Sequence, residues 1–245
     1  MNNGEKLKLL NKYIEESDNI VFFGGAGVST ESGIKDFRSK DGLYNEKYKY
    51  PPEEILSHTF FINNPDEFYK FYIEKLNCLE KTPNICHEYL TKLEKSNKLK
   101  AIITQNIDGL HQKAGSSNIL ELHGSIYRNY CIKCNKSYPP EEIFIKKNYI
   151  CTCGGIIKPN VVLYEEPLDN NIINNAIKHI SNADLLLVVG TSLTVYPASS
   201  FIQFFKGKHL IIINKDTTPL DNLANLIIND DIKDVFNYLN KNLHK

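Results

Sequence analysis

Five short apolar runs recur along the chain, at Ile20-Val21-Phe22-Phe23, Ala101-Ile102-Ile103-Thr104, Asn118-Ile119-Leu120-Glu121, Leu185-Leu186-Leu187-Val188-Val189 and Leu210-Ile211-Ile212-Ile213. They lack the strict apolar–polar alternation of a sheet with one wet face, so they read as strands buried on both faces of a parallel sheet. Between and around them the apolar residues fall at helical spacing, at about 5–16, 66–79, 84–96, 170–180, 197–205 and 231–242. Buried strands alternating with helices give an α/β fold with a Rossmann-type parallel sheet covered on both faces. The 245 residues suit one large domain carrying a smaller lobe.

Two stretches interrupt the alternation. Nearly eighty residues separate the first strand from the one at 101, far more than one crossover needs. Its early part is rich in aromatics (Phe60, Phe61, Phe68, Tyr69, Phe71, Tyr72) and reads as a helical insertion over 38–80. The second stretch, 124–163, carries four of the six cysteines. The expected division is a discontinuous sheet domain from 1–37, 81–123 and 164–245, with the two insertions forming the smaller lobe.

Charge and hydropathy narrow the function classes. Lys plus Arg and Asp plus Glu are both 29, so the net charge is zero, which argues against a general nucleic-acid binder. No apolar run approaches the ~20 residues of a membrane span, and the polar N-terminus holds no apolar signal region. A cytoplasmic location is expected, where thiols stay reduced and cysteines serve as metal ligands or small hydrophobes.

Chemistry-bearing residues cluster where the strands end. Gly25-x-Gly27 follows the first strand at a turn into a helix, a place where backbone approaches a pyrophosphate or where a nucleotide-free protein simply turns tightly. The third glycine of the usual fingerprint is replaced by Thr30. Asp36-Phe37-Arg38 follows, and Arg38 is one of only two arginines among the 29 basic residues, the other being Arg128. A planar guanidinium there fits phosphate or ribose oxygens, which lysine contacts less specifically. After the strand at 101–104 comes Gln105-Asn106-Ile107-Asp108, dense in hydrogen-bonding groups where parallel sheets bind ligands; Asn and Asp also cap helices. His123, beside Gly124 at the next strand end, has the surroundings of a general base, though a lone histidine is more often structural.

Cys131-x-x-Cys134 and Cys151-x-Cys153, sixteen residues apart, supply four thiolates to one tetrahedral zinc. With no open ligand position, such a metal is structural. Cys78 and Cys86 lie on expected helices and read as buried hydrophobes.

Together these residues resemble the sirtuin family of NAD-dependent protein deacylases. The resemblance rests on 25–34 (GAGVSTESGI), Asp36-Phe37-Arg38, 104–111 (TQNIDGLH), Leu122-His123-Gly124, the four cysteines, 158–164 (KPNVVLY), Gly190-Thr191-Ser192-Leu193 and Ile213-Asn214. It implies NAD as cofactor, one structural zinc, and acetyl-lysine proteins as substrates. Gly25, Ala26, Gly27 and Thr30 would line the pyrophosphate and ribose path, with Phe37 and Arg38 on a loop over the cofactor. Gln105 and Asn106 would hold the nicotinamide-side ribose, Asn106 counting beside His123 among the catalytic groups. Ile107 and Asp108 would form the nicotinamide pocket. Gly190, Thr191, Ser192 and Asn214 would meet the adenosine half, with Asp231 and Ile232 near the adenine. His123 would draw a proton from a ribose hydroxyl while the acyl group passes to ADP-ribose. The peptide would add as a strand between Val161, Val162, Leu163, Tyr164 and the segment from Leu193 to Tyr196 that includes Val195. ADP-ribosyl transfer or NAD hydrolysis at the same site is the alternative chemistry.

Two positions depart from the family pattern: Lys35 stands where proline is usual, and Glu165 where glycine is frequent. Relatives that remove acidic acyl groups use a tyrosine and an arginine in the helical insertion, and residues 39–100 hold no arginine. Neutral acyl groups, acetyl first, are therefore expected to be preferred.

Overall fold

The structure is a computed structural model describing residues 1–37, 42–45 and 47–243. Six parallel strands form the main sheet: β1 (Ile20–Gly24), β2 (Leu99–Thr104), β3 (Ile119–Glu121), β7 (Leu185–Val189), β8 (His209–Ile213) and β9 (Leu226–Ile228). Their spatial order is β3-β2-β1-β7-β8-β9. Strand order reverses between β1 and β7, which are paired in register from Ile20–Leu185 to Gly24–Val189. In such sheets the crevice beyond the carboxyl ends at this reversal is where ligands bind. β1, β7 and most of β8 are buried throughout, as their unbroken apolar runs require.

Helices cover both faces. α1 (Asn3–Glu16), α5 (Ile85–Lys95) and α9 (Ile232–Asn242) pack Leu10, Leu90 and Phe236 against Phe22, Leu187 and Ile211 on one side. α8 (Asn170–Asn182) and the 3₁₀ segment Ala198–Phe204 pack Ile180 and Phe201 against Val21, Val188 and Ile212 on the other. Asn2 opens α1 with a reciprocal capping box to Glu5, satisfying two backbone donors that the helix itself leaves free.

A smaller lobe holds the third core. α2 (Pro52–Ile55), α3 (His58–Asn63) and α4 (Pro65–Leu76) contribute Phe61, Phe68 and Tyr72. The antiparallel sheet β5-β4-β6 (Ser137–Tyr138, Gly124–Cys131, Ile157–Val161) and α7 (Pro140–Phe144) contribute Ile126, Ile157 and Phe144. Aromatic stacking knits the parts together, Tyr72 on Phe144 at 5.2 Å and Tyr69 on Tyr149 at 4.3 Å. Side chains from both insertions thus share one core.

The structure differs from the sequence reading in four places. The turn after β1 enters a 3₁₀ helix, Ala26–Ser32, closed by Gly33 in the left-handed region at φ 77°. The stretch 197–205 is likewise 3₁₀. β9 has only three residues, too few for a periodic signal, and its place is fixed by pairing with β8. Cys86 is buried on α5 as expected, whereas Cys78 is buried just beyond the end of α4.

Candidate active site and metal centre

Loops leaving four neighbouring strands converge at the strand-order reversal. From β1, the Gly25 N–H donates to Val189 O at 3.1 Å and the Gly27 N–H to Gly190 O at 2.8 Å. A Cβ on Gly27 would lie 2.8 Å from Gly190 Cα, and Gly190 itself sits at φ +61°. These glycines therefore let two loops pack backbone to backbone, which leaves the crevice floor free of side chains. Thr30 is exposed, its hydroxyl donating to Gly27 O at 3.0 Å. Phe37 is half-buried, with its ring edge-on to Tyr44 at 5.4 Å. Arg38 lies outside the described residues.

From β2, the Gln105 N–H donates to Gly24 O at 3.0 Å, and its side-chain amide to Thr191 Oγ1 at 3.0 Å. Asn106 Nδ2 donates to Ser29 Oγ at 3.0 Å, and Ser29 Oγ donates to Asp108 Oδ2 at 2.6 Å. The other Asp108 oxygen accepts the Leu110 N–H at 2.9 Å, at the start of α6 (Leu110–Ala114). Burial pushes the Asp108 carboxyl above its usual range, while the Ser29 and Leu110 hydrogen bonds act the other way. Ser29 belongs to the recognised motif, yet its role as the hub between Asn106 and Asp108 was not foreseen. Nothing in a serine beside a glycine loop shows that it will be 1% exposed.

From β3, His123 is half-buried and its Nδ1 lies 2.9 Å from Gln105 O. A carbonyl only accepts, so Nδ1 carries the proton and the neutral ring keeps Nε2 as an acceptor. Burial holds the imidazole below its ordinary pKa, against the opposing pull of that carbonyl. On the far side of the crevice, Thr191 is buried, and Ser192 Oγ lies 2.8 Å from Thr194 Oγ1. Asn214, after β8, donates through Nδ2 to Asp216 O at 2.8 Å. Asp231 caps α9 through Lys233 N, with Ile232 as the first helical residue. Ile107 is half-buried and packs against the small-lobe core. The donor set fits a dinucleotide laid across the reversal: bare backbone at its middle, hydroxyl and amide groups on either side.

The strand β6 and its continuation run beside His123, whose carbonyl accepts the Val162 N–H at 3.0 Å. Val161 and Leu163 are buried, Val162 half-buried and Tyr164 exposed, while across the cleft segment Leu193 is buried and Val195 half-buried. Arg128, the second arginine, donates to Glu121 Oε2 at 2.7 Å and to Asn160 Oδ1 at 3.4 Å, tying β4 to the end of β3 and to β6.

In the small lobe the sulfurs of Cys131, Cys134, Cys151 and Cys153 all lie within 4.8 Å of one another. The pairs Cys131–Cys153 and Cys134–Cys151 stand 3.5 and 3.6 Å apart. Tetrahedral zinc with Zn–S bonds of about 2.3 Å needs sulfurs about 3.8 Å apart, so the four thiols fit that ion. None of the six cysteines is in a disulfide. Cys151–x–Cys153 turns through Gly154, at φ +78°, with the Gly154 N–H donating to Cys151 O at 2.8 Å.

No helix among the described residues is long and apolar enough to cross a membrane. The Sir2 family profile matches residues 25–197. The chain is 57% identical over 233 residues to the NAD-dependent protein deacetylase of Clostridium acetobutylicum, covering 93% of this chain and 95% of that protein. Among solved structures it resembles a Sir2 histidine-to-alanine variant with deacetylated p53 peptide and 3'-O-acetyl ADP ribose (TM-score 0.90, 37% identity, 96% of this chain and 98% of that one). A Sir2 complex with p53 peptide and NAD⁺ superposes with a TM-score of 0.86 at 37% identity, covering 96% of this chain and 98% of the other. The glycine loop, the strand-end amides, His123 and the four clustered cysteines all fall inside the matched span, and the chain belongs to the Sir2 family.

Proposed function

We propose that this chain is an NAD-dependent protein-lysine deacetylase acting on acetyl-lysine proteins in the cytoplasm. The observation that carries it is the convergence of His123, the Gln105–Asn106 amides and the Gly25–Gly27 and Gly190 backbone at the strand-order reversal. Gly25, Ala26, Gly27 and Thr30 receive the pyrophosphate side, and Thr191, Ser192 and Asn214 the adenosine side, with Asp231 and Ile232 beyond. Ile107 and Asp108 receive the nicotinamide, and Phe37 and Arg38 belong to the loop over the cofactor.

Bound NAD supplies a glycosidic C–N bond whose cleavage releases nicotinamide and leaves ADP-ribose to take the acetyl group. His123 takes a proton from a ribose hydroxyl at Nε2, because Gln105 O keeps the ring proton on Nδ1. Ser29 orients Asn106 and the Asp108 carboxylate together, so both point from one fixed hub. The acetyl-lysine peptide adds as a strand between 161–164 and the segment from Leu193 to Tyr196. Cys131, Cys134, Cys151 and Cys153 hold one zinc that fastens the small lobe and has no free position for catalysis. On this reading 1–37, 81–123 and 164–245 form the NAD-binding part, 38–80 the helical insertion and 124–163 the zinc-binding module.

The test is incubation with an acetyl-lysine peptide, with and without NAD, following peptide mass and free nicotinamide. Loss of one acetyl group matched by nicotinamide supports the reading. Nicotinamide release without change in the peptide overturns it in favour of NAD hydrolysis or ADP-ribosyl transfer.

A further inference from the structure

Glu165 has a backbone conformation that its side chain alone disfavours. It sits at φ +75°, in the left-handed region where a Cβ crowds the backbone and glycine is the ordinary occupant. Its carboxylate has a definite task. Oε2 accepts the Thr59 N–H at 2.9 Å and the Thr59 hydroxyl at 2.7 Å, in the first turn of α3. These two bonds hold the carboxyl below its usual range, so it is charged at neutral pH. The neighbouring Glu166 joins the same clamp. It meets His58 Nδ1 at 2.8 Å, and its other oxygen accepts the Lys158 Nζ and the Leu163 N–H at 3.0 and 2.9 Å.

The clamp lies at the end of the segment 161–164, to which the reading above assigns the peptide. Backbone groups of successive residues in a strand face opposite edges. Val162 N–H faces His123 O, and Tyr164 exchanges its N–H and C=O with Leu56 O and His58 N at 2.9 and 3.0 Å. On the opposite edge, Lys158 Nζ holds Val161 O at 3.0 Å, while Glu166 occupies both the Leu163 N–H and, at 3.1 Å, the Leu163 C=O. Glu165 follows in the turn that the Glu166 N–H closes on Leu163 O. Among the described residues its N–H and C=O have no partner. The left-handed turn decides where those two groups point.

We infer that Glu165 is a positioning residue for the substrate peptide: Thr59 anchors its carboxylate, the anchor fixes the left-handed turn, and the turn presents the free backbone groups that set the peptide's register. This rests on the deacetylase reading above.

The experiment compares wild type with Glu165→Ala, Glu165→Gln and Thr59→Val. Glu165→Ala keeps the Cβ that disfavours the left-handed turn but loses the anchor that holds it, so the turn relaxes and the peptide KM is expected to rise roughly tenfold. Its kcat, NAD KM and melting temperature should stay close to wild type. Glu165→Gln should restore the peptide KM, since an amide oxygen accepts the same two bonds, and Thr59→Val, which loses one of them, should fall between. A peptide KM within twofold of wild type in Glu165→Ala overturns the proposal, as does a parallel loss of NAD affinity and thermal stability. Equilibrium binding of a fluorescent acetyl-lysine peptide is measured alongside, without turnover. It keeps the outcomes separate: absence of deacetylation in wild type refutes the functional reading, whereas equal peptide affinity of wild type and Glu165→Ala refutes the positioning role.

Discussion

The phenol oxygens of Tyr44 and Tyr164 lie 2.6 Å apart. Tyr44 donates its N–H to Phe37 O at 2.9 Å and packs its ring edge-on against Phe37, while Tyr164 ends the strand continuing from β6. One hydroxyl contact thus joins the segment expected over the cofactor to the segment expected beside the peptide. Tyr44→Phe and Tyr164→Phe should each raise the KM for both substrates by about two- to tenfold, the worth of a net hydrogen bond of ~0.5–1.5 kcal/mol. The double variant should be no worse than either single one. Additive effects in a double-mutant cycle would show that the contact couples nothing.

His123 works as a base only while neutral, and burial lowers its pKa. The acid limb of kcat should therefore have its midpoint below the ordinary histidine value of about 6.5. His123→Ala should lose roughly 10²–10⁴-fold in kcat while retaining NAD binding. A pH–rate profile with its acid midpoint at or above 6.5 contradicts this assignment.

His87 and His111 are buried with ring centroids 4.7 Å apart, and among the described residues His87 Nε2 and both His111 nitrogens have no hydrogen-bond partner. Burial lowers the His87 pKa to about 4 and that of His111 well below its ordinary value. The unfolded chain takes up these protons near pH 6.5, the folded one only at lower pH. Stability is thus complete above about 6.5 and falls as pH drops toward 4, His87 alone accounting for roughly 3 kcal/mol. Urea unfolding at pH 7 and pH 4.5 should show this loss, and a His87→Gln variant should show a shallower slope. An unchanged slope would mean that this ring does not titrate on unfolding.

Stripping the metal should make Cys131, Cys134, Cys151 and Cys153 reactive toward a thiol reagent, while buried Cys78 and Cys86 stay protected. A two-residue strand and a five-residue helix cannot hold this lobe together as well without their central ligand. A chelator, or Cys153→Ser, should lower the melting temperature by on the order of 10 °C. One equivalent of zinc should accompany the native protein by elemental analysis; finding none would remove the metal assignment.

Acyl preference follows from charge. Residues 39–100 contain no arginine, and a bound succinate-like carboxylate needs a paired cation or else remains a desolvated charge. Acetyl-peptide should turn over at least about tenfold faster than succinyl-peptide, a difference of ~1.4 kcal/mol. Equal rates on the two peptides would count against the assignment of a neutral acyl site.

The α/β class, five of the six parallel strands and the cysteine quartet are legible in the residue pattern alone. Runs such as Leu185–Val189 can be stable only when buried on both faces, and C-x-x-C with C-x-C brings thiols together at short range. The same pattern also marked His123 and the Gln105–Asp108 cluster, because polar groups gathered at strand ends need a use. Tertiary structure decided the rest, since those relationships join residues far apart in the chain. β9 exists through pairing with β8, and Gly27 is required by Gly190, 163 positions away, whose backbone occupies the space of its missing Cβ. Ser29 becomes a hub only when Asn106 and Asp108 close around it. Glu165 looks like a substitution for glycine until Thr59 is seen holding its carboxylate. Local patterning encodes which elements form; complementarity across the assembled sheet and lobe sets which of their side chains meet.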